Sequence, residues 1–374
     1  MDLTLADEQV ALRAAARGFL TQAAPADQLA LILDQPPHWR PEIWPKLAAL
    51  GWLGISAPAE RGGAGLGLLE EVVVAEEAGA ALLPAPLHSA VGLALPILLR
   101  ATGEDSLLRA FIDGQSVVTF GWAETSGQTA LARAAETSVV AAPVAGAQWR
   151  LRGVKRWVPD AGRADVVIVP AGADRGVALF AVELLGPGVV AVDRKIVDPV
   201  RPLADLNLID ARARLIVPAS ETSRALEAVR LRALVLAAAE SVGIARRMLE
   251  LAVSYSTSRQ QFGRVIGHFQ AISHRLADVY INLELARSLV LWAALLIDTA
   301  DAAAPAGAAA AAAKALPVAV SACETAIQVH GGVGVTWESP LHRYFKHALA
   351  MNTLDLSPAE HRAEVLGGVT ALLR

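Results

Sequence analysis

The chain has 374 residues, 54% of them hydrophobic and 19% charged, with a formal net charge of -4. That length allows two or three packed units, and the mildly acidic balance argues against a nucleic-acid or anionic-membrane surface. A single cysteine, Cys323, rules out an internal disulfide framework and fits a reducing cytoplasm.

Residues 1–115 read as an N-terminal α-helical domain. The stretches "ADEQVALRAAARGFL", "PEIWPKLAALGWLGI" and "LLEEVVVAEEAGAALL" space their apolar residues by three and four. The start is acidic and amphipathic, without the basic end, apolar core and small-residue cleavage site of a signal peptide. "PAERGGAGLG" lacks both a Gly-Lys-Ser/Thr ending and a preceding strand, so it reads as a plain loop. The run from Ala78 to Leu99 is free of charge, but it carries Pro84, Pro86, Pro96 and His88. It is expected to be a buried break between helices, not a membrane span.

Residues 116–221 change texture. Short β-prone runs such as "SVVTFGWAE", "DVVIVPA" and "GVALFAVE" recur at about ten-residue spacing between Gly, Pro and Asp. The expectation is a small antiparallel β-barrel or sandwich. Residues 222–374 return to long helices and predict a four-helix bundle, with "DAAAPAGAAAAAA" (301–313) as a loop entering its third helix. The fold class is therefore α+β, ordered helical, β, helical.

Most chemical templates fail. The sequence has no Ser-centred elbow, no Cys/His metal spacing and no strand-linked GxGxxG. His342 and His347 flank "RYFK" five residues apart, the wrong spacing for one helix face. Three pieces are more informative. "SRQQFGRVIGHFQ" (258–270) gathers Arg259, Phe262 and Gln270 at one joint between helices. "AIQVHGGVGVT" ends a helix on a glycine pair that lets a ligand approach the backbone. "GVKRWVPDAG" places Trp157 on a strand. An arginine, exposed aromatic faces and bare glycine backbone suit a planar ring joined to a pyrophosphate.

Together these pieces resemble the acyl-CoA dehydrogenase family over nearly the whole chain. Arg259, Phe262, Gly263 and Gln270 meet its Arg-x-x-Phe-Gly-x-x-x-x-x-x-Gln pattern, and Gln328, Gly331, Gly332 and Gly334 meet Gln-x-x-Gly-Gly-x-Gly. The resemblance implies FAD as cofactor, an acyl-CoA substrate and an electron-transfer flavoprotein as acceptor. It also implies a homodimer or homotetramer in which the Arg259 corner grips FAD bound mainly by a neighbour. In the β domain the match is looser. A Thr/Ser-Glu-Pro flavin loop is expected where "AETSGQ" has Ala123, Glu124 and Thr125. Trp-Ile-Thr/Ser is replaced by Trp157-Val158-Pro159, which removes a hydroxyl near flavin N5. Family chemistry takes an α-proton with a carboxylate while a hydride leaves the β-carbon for flavin N5.

The family's Glu-Gly-Thr segment falls in register on Asp355, Leu356 and Ser357, making Asp355 the expected base. In some members the base lies instead on the first bundle helix, near Ala233 here. Glu240, two turns further on the same face, is the alternative; its bland reading is a partner for an Arg or His on a facing helix. The cofactor set is then Glu124, Thr125, Trp157, Pro159, Arg259, Phe262, Gln270, Gln328, Gly331, Gly332 and Ser357, with no metal. The divergent positions suggest a divergent branch of the family this chain resembles, and such branches often act on bulky acyl groups, steroid side chains included. Two further readings stay open: a non-catalytic subunit completing a partner's FAD site in a hetero-tetramer, and a flavin oxidase or monooxygenase on the same fold.

Overall fold

The computed structural model describes residues 3–35, 38–125, 130–144 and 148–372. Its first layer is helical: α1 (Asp7–Ala23), α2 (Leu29–Leu33), α3 (Trp44–Ala49), α4 (Leu68–Ala81), α5 (Leu95–Leu98) and α6 (Asp105–Ile112). Asp7 and Glu8 start α1, where the partial positive charge of a helix N-terminus favours them. The charge-free run breaks as expected. α4 stops at Ala81, Leu82 takes a left-handed φ of 47°, and Pro84 and Pro86 fall in the turn before a π-helical segment, His88–Ala94. Leu93, Ala94, Leu95, Ile97 and Leu98 are completely buried, so this stretch is core.

The middle layer holds β1 (Val118–Phe120), β2 (Val140–Pro143), β3 (Gln148–Pro159), β4 (Val166–Ala173), β5 (Gly176–Glu183), β6 (Val189–Asp193) and β7 (Leu203–Val217). β4, β5, β7, β3 and β2 pair in that order, and Val140 of β2 meets Gly172 of β4 to close the ring. Leu151, Val158, Val167, Val169, Phe180 and Leu206 fill it. The barrel departs from the antiparallel expectation at one edge. β1 and β2 both run parallel to β4, because the chain reaches each of them through a loop and not a tight hairpin.

The last layer comprises α7 (Ala219–Ser258), a short hairpin of β8 (Gln260–Gln261) and β9 (Arg264–Val265), α8 (Gln270–Asp298), α9 (Ala304–His330), α10 (Leu341–Met351) and α11 (Pro358–Leu372). Two helices, not one, follow α9. The segment 301–313 is mostly helix, which corrects the expected loop. Pro305 sits in the first turn, where its missing N–H costs nothing, and alanine is the strongest helix former. Ala308, Ala311, Ala312, Ala315 and Ala319 are buried, and these small side chains let α9 lie close against α7 and α8. α8 and α9 are apolar and long enough to cross a bilayer by length and composition, yet here they are bundle helices.

α7 is the spine. It crosses α4 at backbone contact, because Gly79 and Gly243 leave no side chain in the way. A Cβ on Gly79 would lie 2.1 Å from the carbonyl oxygen of Glu240, and one on Gly243 would lie 1.9 Å from that of Glu76. This crossing fixes Glu240 between the helical layer and the barrel.

Candidate active site

A cavity of about 540 Å³ opens where the barrel meets α10; Trp122, Trp157, Pro159, Leu203, Lys346 and Leu354 are among its walls. Trp157 is aimed by an irregularity in β3. Register slips between Lys155 and Val158, and Trp157 takes a φ of 52°, a region that costs a non-glycine residue about 1–2 kcal/mol. Asp205 holds it there, accepting from Trp157 N at 3.2 Å and from Arg156 Nη1 at 2.6 Å. Pro159 shares the wall with Trp157, so an imino acid stands where a hydroxyl was expected.

Glu124 follows Ala123 of the cavity wall, but its carboxylate is spent. It accepts from Lys155 Nζ (2.5 Å), Thr137 Oγ1 (2.5 Å), and Ser138 N (2.7 Å) and Oγ (2.5 Å). Burial pushes its pKa up, and the bonds from Lys155, Ser138 and Thr137 outweigh that and hold it at about 2. Thr125 is the last residue described before 126–129.

Each expected base is likewise bound inside the protein. Asp355 follows Leu354 in the turn between α10 and α11, and its side chain has no exposed surface. It accepts from Ala132 N at 2.9 Å and Arg230 Nε at 2.8 Å, and Arg230 Nη2 continues to both oxygens of Glu364 at 2.8 Å. Ser357 caps α11: its N and Oγ donate to Glu360 Oε2 at 2.9 and 2.6 Å. Glu240 borders a second, inner cavity of about 40 Å³, shared with Trp52, Val74, Leu83, His88 and Leu236. One oxygen accepts from Arg201 Nη2 at 2.7 Å, the other from His347 Nε2 at 2.8 Å, and His347 Nδ1 donates to Asp198 Oδ2 at 2.8 Å.

A ring that donates from both nitrogens is an imidazolium. Burial lowers the His347 pKa, but Asp198 and Glu240 outweigh it and raise it to about 9. Glu240 moves the other way. Burial favours its neutral form, and the charges of Arg201 and His347 override this and depress it far below the carboxylate range. Arg201 borders both cavities and stands between them. The sequence reading missed Arg201, Lys346, Asp198 and His347. The histidine's partners lie 107 and 149 residues away, so spacing along one helix carried no signal.

The other predicted residues assemble elsewhere, at the far end of α7. Phe262 and Gly263 form the β8–β9 turn with φ of 53° and 77°, as a type I′ turn requires. A 91% exposed phenylalanine in that conformation is a costly arrangement for an isolated surface. Its edge meets Phe269 at 6.1 Å, and Arg264 lies over the Phe269 ring at 4.3 Å. Tyr255, whose carbonyl accepts from Arg259 N, stacks on His330 at 4.3 Å and so joins the Arg259 corner to the Gly331–Gly332 turn. Nothing lies within 4 Å of where a Cβ would sit on either glycine. Arg259, Gln270 and Gln328 are exposed on the same end of the bundle. These residues fit the anionic nucleotide part of FAD; the Trp157 cavity fits a flat ring by size and apolar walls but lacks the side-chain hydroxyl.

Comparison with known proteins bears on the family. The N-terminal domain model of acyl-CoA dehydrogenase matches residues 6–111 and the C-terminal domain model matches residues 225–355. The acyl-CoA dehydrogenase FadE27 of Mycobacterium tuberculosis is 32% identical over 89% of this chain and 86% of its own. The ChsE4-ChsE5 complex from the same organism has a chain of 27% identity and TM-score 0.87, covering 99% of both chains. A Tcur3481-Tcur3483 steroid ACAD variant is 30% identical with TM-score 0.85 over 98% of this chain and 99% of that one. Fold, flavin motifs and sequence relatives converge, and the chain belongs to the FAD-dependent acyl-CoA dehydrogenase family.

Proposed function

We propose that this chain takes part in α,β-dehydrogenation of an acyl-CoA thioester as the half of a two-chain enzyme that completes an FAD site built chiefly on a different chain. One observation carries the reading: the two carboxylates expected as the base are committed to buried ion pairs, Asp355 with Arg230 and Glu240 with Arg201 and His347. A base must be free to gain a proton; Asp355 is tied up by its hydrogen bond from Arg230, and Arg201 and His347 hold Glu240 as an anion. The inner cavity, about 40 Å³, is also too small for an acyl tail; it has room for about one water.

By contrast, the residues that act across an interface are intact. Arg259 offers a guanidinium to a pyrophosphate, Phe262 an aromatic face, Gln270 and Gln328 amides, and Gly331–Gly332 an open backbone. Bound FAD supplies the hydride acceptor; this chain's residues hold and orient its nucleotide end. Two of the similar solved structures carry paired chain names, ChsE4-ChsE5 and Tcur3481-Tcur3483, which supports a hetero-oligomer. A bulky or steroid-derived acyl group fits the same relatives.

The test is to purify the chain alone and together with a companion dehydrogenase chain, measure flavin per chain, and follow anaerobic bleaching with a panel of acyl-CoAs. The expected outcome is no flavin and no turnover alone, and one FAD per two chains together. One FAD per chain and full bleaching by the chain alone would overturn the proposal and return Asp355 or Glu240 to the role of base. Rapid oxygen consumption without acyl-CoA would favour an oxidase.

A further inference from the structure

The Trp157 cavity is mostly apolar, yet two cations border it with little to balance them. Lys346 is half-buried, forms no ion pair among the described residues, and lies 4.7 Å above the Trp337 ring. Arg201 gives Nη2 to Glu240, but among the described residues its Nη1 meets only Met351 Sδ at 3.2 Å, a weak acceptor. Behind them His347 pairs with Asp198 and Glu240, and Arg201 pairs with Glu240, which leaves Lys346 as the cation at this cavity without an ion pair among the described residues. An apolar chamber bordered by an unpaired lysine and by an arginine with a poorly satisfied nitrogen suits a ligand that brings an apolar body and one anion. Trp122 and Trp157 favour a flat body. Arg201 lines both this cavity and the inner one, so it can meet an anion at their boundary.

We propose that the Trp157 cavity of this chain binds a compact, flat, apolar carboxylate whose anion is received by Arg201 and Lys346. This rests on the reading above, in which the flavin ring occupies the companion's cavity and not this one. About 540 Å³ is ample for a fused-ring acid and lies within the usual range of small-molecule sites.

The test uses the two-chain enzyme, with energy transfer from tryptophan to 1-pyrenebutyrate and, as the neutral control, 1-pyrenebutanol. The expected result is saturable binding of one acid per copy of this chain, with the alcohol at least tenfold weaker. Lys346→Gln should weaken the acid about tenfold and leave the alcohol unchanged. The paired variant Arg201→Gln with Glu240→Gln should do the same, and it leaves no lone buried charge that might prevent folding. Equal binding of acid and alcohol, unchanged affinity in both variants, or no saturable binding would overturn the inference. Flavin content separates the two proposals. One FAD per chain means that the two-chain reading has failed and the cavity is filled; one FAD per two chains with no pyrenebutyrate binding defeats this inference alone.

Discussion

At the scale of single residues, charge placement decides which carboxylates do chemistry. Asp355→Asn removes the anion facing Arg230 but keeps the side chain's shape, and Glu364 remains to pair the guanidinium. The expected cost is about 1–3 kcal/mol, less than for a fully orphaned buried charge. Thermal unfolding should therefore shift downward by several degrees while turnover of the two-chain enzyme stays within a few-fold. A hundredfold loss of turnover with unchanged melting would instead make Asp355 the base. Phe262→Gly is the opposite case. The ring is exposed and the backbone left-handed, so glycine relieves strain and should not lower stability, while FAD retention falls about tenfold in a dialysis assay. His347 sets a pH dependence. Its folded pKa, about 9, exceeds its ordinary 6.5, so its contribution is complete below about pH 6.5 and is lost as pH rises through 9. Urea midpoints measured at pH 6 and 9.5 should differ more in the parent protein than in His347→Gln. Asp198, Glu240, Arg201 and His88 are the charged and titratable groups around it.

At the scale of elements, the helices were readable wherever apolar spacing was regular, and the strands wherever Gly, Pro and Asp punctuated β-prone runs. The misreadings have physical causes. Alanine in "DAAAPAGAAAAAA" looked like low complexity, but it is a helix surface made for close packing. The parallel edge of the barrel depends on β1 reaching β4 across 45 intervening residues, which no local pattern encodes. The crossing of α4 and α7 was also invisible, since Gly79 and Gly243 show their purpose only once the helices meet. Gly243→Ala would place a methyl group 1.9 Å from the Glu76 carbonyl oxygen and force the helices apart. A loss of about 1–3 kcal/mol is expected, read as a lowered denaturant midpoint. Arg201, Glu240 and His347 would lose their alignment with it.

At the scale of the molecule, the motif residues were legible in the sequence and the buried ion array was not. Arg259, Phe262, Gln270 and Gln328 fall in short patterns, whereas the ion array of Asp198, Arg201, Glu240 and His347 joins three distant segments. That division matches the proposed division of labour, and it makes association and cofactor binding one event. Gln328 lies in a groove of about 1060 Å³ between α8, α9 and α11, with Arg275, Asp278, Lys314, Glu324 and Arg362 around it. On α8, Tyr280, Ile281 and Leu285 are 56%, 55% and 53% exposed, a cluster of apolar side chains that gains by burial against another chain. Ile281→Lys combined with Leu285→Glu should leave this chain folded, because neither side chain belongs to its core. The same pair of changes should convert the assembly into single chains on size-exclusion chromatography and strip its flavin absorbance in parallel. If the separated chains kept their FAD, the Arg259 corner would not be holding it for a neighbour, and the two-chain site would have to be abandoned.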